Sequence, residues 1–110
     1  MRILITITPQ MYRQALALSI RSRRPGYEVV VASPEVAAVE IAAFEPHLLL
    51  HDDNDELGSE VVAGVPCRVT VLYTDSMDAR ITMRGQVREA RDMTTEELLR
   101  VLDSTSGITG

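Results

Sequence analysis

Short aliphatic runs alternate with helical periods along the first half of the chain. Residues 2 to 8 are rich in β-branched side chains and predict a strand that starts almost at the N-terminus. Pro9 stops that strand and can open a helix. Residues 10 to 23 then follow a helical period that brings Met11, Ala15, Leu16, Leu18, Ser19 and Ile20 near one broad face. Pro25 and Gly26 end the helix. Residues 27 to 32, centred on Val29, Val30 and Val31, predict a second strand enclosed on both faces. Ser33, Pro34 and Glu35 form a helix start: a hydroxyl cap, a proline at the first position and an acid facing the dipole. The helix through Phe44 carries Ala37, Ala38, Ile41, Ala42 and Ala43, small enough to lie close on a sheet. Pro46 ends it, and residues 48 to 50 give a third strand.

The second half is less regular. Residues 69 to 73 predict a fourth strand. Around Arg84 and Gly85, the triplet Ile81-Thr82-Met83 and the run Gln86-Val87-Arg88-Glu89 alternate apolar and polar residues. That pattern favours a β-hairpin over a helix followed by a strand. Thr94 and Glu97 make a capping box before Leu98, Leu99, Val101 and Leu102, which predicts a final helix. Residues 104 to 110 read as a flexible tail behind a single domain of residues 1 to 103. Residues 53 to 65 are too few for a helix of ~11–12 residues and two loops, so one helical turn or an irregular loop is expected there. Strands and helices in this order imply a parallel sheet with right-handed crossovers in a doubly wound three-layer sandwich.

Composition narrows the function classes. A chain of 110 residues with 45% hydrophobic and 25% charged residues is one globular domain. The net charge of −5 leaves no basic surplus for nucleic-acid phosphates, so no nucleic-acid partner is expected. Arg21, Arg23 and Arg24 read as a solvated helix end. All eleven basic residues are arginine, which removes any Schiff-base or phosphate-binding lysine. Cys67, the single cysteine, has no internal disulfide partner and is expected to pack in the core. No apolar stretch approaches the ~20 residues of a membrane span, and no signal-peptide core stands at the N-terminus. A cytoplasmic protein without a membrane partner is therefore expected.

The run Pro46-His47-Leu48-Leu49-Leu50-His51-Asp52-Asp53 carries the chemistry, because it delivers carboxylates to the edge where open α/β sheets place their sites. With residues 24 to 33, it resembles the receiver domain of bacterial response regulators in two-component signalling, over about residues 2 to 53. The resemblance implies a flavodoxin-like fold with a mainly parallel central sheet, from which the segment lengths depart: a shortened third helix and a hairpin in place of the fourth helix are expected. It makes Asp52 the phosphoacceptor-like position, followed by Asp53. Thr74 matches the hydroxyl that contacts the phosphoryl oxygen, and Arg91 stands where the family has its lysine, with Asp92 in place of a proline. The family's metal-holding acid pair falls on Ile7 and Thr8, neither of them an acid.

Asp52, Asp53, Asp55 and Glu56 could bind a divalent cation, but a solvated acidic loop is the favoured reading. Weak Mg²⁺ binding through Asp52 and Asp53 stays open, and no other cofactor is expected. His47 and His51 share a strand face but stand ~13 Å apart, too far for one ion. Hydrogen bonding at the strand ends is their expected role. Met77, Met83 and Met93 are expected to pack or make contacts. No Gly-rich phosphate loop follows the first strand, and no serine sits in a nucleophile elbow.

The expected function is that of a non-catalytic pseudo-receiver, an interaction module that forms a homodimer or docks to a protein partner. Ile81, Met83 and Val87 are the expected contact surface. One alternative is a working phosphoacceptor using Asp52, Asp53, Thr74 and Arg91. Another is a small-molecule binder at the sheet edge near Thr8, Asp52 and Thr74.

Overall fold

Ile3, Leu4 and Ile5 have no exposed surface, as a strand covered on both faces requires. They form β1 (Arg2–Ile5), an interior strand of the computed structural model, which describes residues 1–52, 64–73, 78–83 and 86–109. After β1 come α1 (Gln10–Arg23), β2 (Glu28–Val31), a 3-10 turn (Pro34–Val36), α2 (Ala37–Phe44) and β3 (Leu48–Asp52). Then follow β4 (Cys67–Tyr73), β5 (Asp78–Met83), β6 (Gln86–Ala90) and α3 (Thr95–Thr109).

The six strands form one sheet in the order β2-β1-β3-β4-β5-β6. β1 runs parallel to β2 and β3, and β3 parallel to β4, whereas β4–β5 and β5–β6 are antiparallel. The expected flavodoxin-like, mainly parallel sheet is therefore wrong: the sheet is mixed, and its C-terminal end is antiparallel. The cause is chain length. Only residues 74–77 separate β4 from β5, and a parallel return needs a crossover of about a dozen residues or more. Ile81 pairs with Arg88 and Met83 with Gln86, the antiparallel pairing that the alternation around Arg84 and Gly85 predicts. The shortened third helix falls on residues outside those described.

Odd positions of β1 face α1 and α3. Ile3, Ile5, Leu48, Leu50 and Val69 bury there against Ala17 and Ile20 of α1 and Leu98 and Leu102 of α3. Leu4 and Leu49 face the other way, against Ile41 and Phe44 of α2 and Val65. The buried side of α1 matches the expected face only in part. Leu16, Ala17 and Ile20 turn inward, while Met11 and Leu18 are 74% and 69% exposed. Apolar residues surround so much of this helix that periodicity alone does not select the arc that packs.

The N-cap half of the predicted capping box forms: the Glu97 N–H donates to Thr94 Oγ1 at 3.1 Å, while the Glu97 carboxylate accepts from the Thr94 hydroxyl at 3.5 Å. α3 then continues to Thr109, across residues expected as a tail. Thr105 is buried and donates to the Val101 carbonyl at 3.0 Å. The arginines after α1 tie it to α3. Arg24 Nε and Nη2 reach the Asp103 carboxylate at 2.9 and 2.8 Å, Tyr27 donates to it at 2.7 Å, and Arg23 pairs with Glu96. The Arg24 and Tyr27 hydrogen bonds hold the Asp103 carboxyl below the usual carboxylate range.

Candidate functional site

The register that sets Ile5 beside Leu50 brings the ends of β1 and β3 to the same edge. There the Thr8 N–H donates to Asp52 Oδ2 at 2.8 Å, and the Thr8 hydroxyl donates to the same oxygen. Asp52 is only 6% exposed. One of the residues standing where an acid pair would hold a metal is thus hydrogen-bonded to the carboxylate that such a metal would serve.

The other expected members do not join this pair. Asp53, Asp55, Glu56, Thr74 and Met77 lie outside the described residues. Arg91 follows β6, and the ladder Asp52, Val71, Ala79, Ala90 puts it on the same edge as Asp52 but three strands away. Three strand spacings amount to about 14 Å. Next to Arg91, Asp92 has a left-handed backbone (φ 49°), and its N–H donates to Asp78 Oδ1 at 3.0 Å. Among the described residues, no three of His, Cys, Asp and Glu converge as a metal site.

The histidines serve the ends of β3. At one end, the Arg2 N–H donates to His47 Nδ1 at 2.9 Å, which requires an unprotonated ring nitrogen. Burial, and then the positive charges of Arg2 and the N-terminus, lower the His47 pKa from 6.5. The unfolded chain therefore takes up a proton that the folded chain resists, so stability falls as pH drops through about 6.5. Urea midpoints at stepped pH between about 7 and 5 should show this fall, and His47→Gln should flatten it.

At the other end, His51 Nδ1 lies 3.0 Å from the Asp52 carbonyl, and Nε2 lies 3.1 Å from Thr70 Oγ1. A carbonyl only accepts, so Nδ1 carries a proton. The ladder puts Thr6, His51, Thr70 and Arg80 in one row on the α2 side of the sheet. Among the described residues, Thr6 Oγ1 in that row is buried without a hydrogen-bond partner. Sequence reasoning missed this polar row because its members share a face only once the register is known. Cys67 is a buried free thiol; burial pushes its pKa up, while a hydrogen bond with Thr105 opposes that shift.

The expected contact residues separate at the β5–β6 rim. Ile81 is 2% exposed and belongs to the core, Met83 is half-buried against it, and Val87 on β6 is 58% exposed. These three border a groove of about 470 Å³ with Gln86, Arg88, and Val101 and Ser104 of α3. β6 is the last strand of the sheet, and its residues are exposed from Gln86 to Glu89. Comparisons with known protein families, with curated proteins and with solved structures find no match to this chain.

Proposed function

We propose that this protein is a non-catalytic interaction module that recognises a protein partner at the β5–β6 rim. The observation that carries this reading is the exposed edge strand β6 beside a groove of mixed apolar and polar lining. An extended segment of the partner adds to β6 through main-chain hydrogen bonds, and its alternate side chains enter the groove over Met83 and Val101. Arg88 in the groove wall favours an acidic group on the partner. This keeps the signalling role that the receiver resemblance implies and leaves out its phosphoryl chemistry.

The phosphoacceptor alternative needs an accessible carboxylate oxygen and a metal beside it. Asp52 Oδ2 is instead bonded twice by Thr8 in a nearly closed position. A small-molecule site at Thr8 and Asp52 meets the same objection, since the Thr8 N–H and hydroxyl are already engaged by Asp52 Oδ2.

Random peptides displayed on phage provide a probe that needs no known partner. Peptides enriched on the wild-type protein should bind Val87→Asp and Met83→Glu at least about tenfold more weakly, and Asp52→Asn equally well. Enrichment that depends on Asp52 and ignores Val87 would overturn the proposal.

A further inference from the structure

Two exposed apolar stripes lie on opposite faces of the sheet, and their surroundings carry opposite charge. On α1, Met11, Ala15 and Leu18 follow the spacing i, i+4, i+7, and all three are exposed. On the α2 side, Val36, Val39 and Ala43 follow i, i+3, i+7, with Val39 67% exposed. Each stripe spans seven residue steps, or ~10 Å along a helix axis. α1 contains Arg13, Arg21 and Arg23 and no acid. The α2 stripe is flanked by Glu35, Glu40 and Glu45, and Arg2 reaches the Glu45 carbonyl at 3.0 Å.

This polarity extends along the chain. Residues 25 to 67 hold nine of the sixteen acids and none of the eleven arginines, leaving 11 − 7 = +4 for the rest. Arg21 donates to the neutral Val29 carbonyl at 2.7 Å and Arg13 to that of Ile7 at 3.2 Å, so both stay charged. Arg13 also acts on Glu35 of its own chain, while Arg23 is paired with Glu96. Arg2 stands beside Glu45, so Arg21 on one side and Glu40 on the other carry the complementarity.

We propose that a second copy of this chain is the occupant: the α1 stripe of one molecule docks on the α2 stripe of the next, head to tail. Pairing α1 with α1, or α2 with α2, sets like charges against each other. Two copies cannot exchange both contacts, because the two helices lie on opposite faces of the sheet. The contact therefore repeats in one direction and builds open oligomers rather than a closed dimer. One helix-on-helix contact covers less than the ~800 Å² per partner of a standard stable interface, so assembly is weak and grows with concentration. Its charged flanks make it weaken as salt is added. The rim is a separate surface, so a failure here leaves the rim reading standing.

Sedimentation velocity on the full chain tests the proposal. The average mass should rise with concentration and fall with added salt. Leu18→Glu and Val39→Arg should each weaken the association by about tenfold or more. Mixing these two variants should yield a 1:1 complex, because one still offers its α2 stripe and the other its α1 stripe. Val87→Arg should assemble like the wild type. A wild type that stays monomeric at high concentration overturns the proposal. So does a mixture that forms no complex, or a loss confined to one of the two variants.

Discussion

Leu50→Ala is expected to lower the unfolding free energy by about 2–5 kcal/mol, the usual loss when a fully buried leucine leaves a cavity. Leu50 has no exposed surface and sits in β3 between Ile5 of β1 and Val69 of β4. Strands on both sides prevent the site from collapsing around the missing atoms, which favours the upper part of that range. A domain of this size is held by about 5–15 kcal/mol, so a single substitution removes a large share of it. Urea unfolding monitored by circular dichroism should show a lower midpoint with an unchanged slope. A midpoint within error of the wild type would contradict the enclosed position of β3.

The second large effect is expected at Thr8. Thr8→Val keeps the shape and the N–H that donates at 2.8 Å, but removes the hydroxyl that donates to the same Asp52 oxygen. Hydrogen bonds to charged groups contribute roughly 1.5–3 kcal/mol, and loss of this one leaves a nearly buried carboxylate under-satisfied. The variant should be less stable by about that amount. A double-mutant cycle with Asp52→Asn should show coupling of about 0.5–3 kcal/mol, because the Thr8 hydroxyl and the Asp52 carboxylate are direct partners. Additive effects would mean that the Thr8 hydroxyl is not bound to Asp52 in solution.

Local signals in the sequence carried much of the fold. The aliphatic runs at residues 3–5, 29–31 and 48–50 are β1, β2 and β3, and Thr94 with Glu97 opens α3. The sheet's overall sense failed because a strand-helix rhythm was extended past Tyr73, where the chain has too few residues to cross over. The exposed side of α1 was not readable either. Met11 and Leu18 look like core residues, and only their position above the sheet turns them outward. Ile81 was correctly placed in an alternating strand but on the wrong side, since α3 covers it through long-range packing.

The candidate site shows the same limit. Asp52 was found by its place at the end of an aliphatic run, and Thr8 by its place after the first strand. Their hydrogen bond depends on the β1–β3 register, which no local pattern encodes. That bond ties Asp52 of β3 to Thr8 beyond β1.

The central claim is that the protein works through its surfaces and performs no phosphoryl chemistry at Asp52. Incubation with acetyl phosphate and Mg²⁺, followed by intact-mass measurement, tests it most directly. An unchanged mass is expected for the wild type and for Asp52→Ala alike. A stable phosphoryl adduct on the wild type that is absent from Asp52→Ala would contradict it.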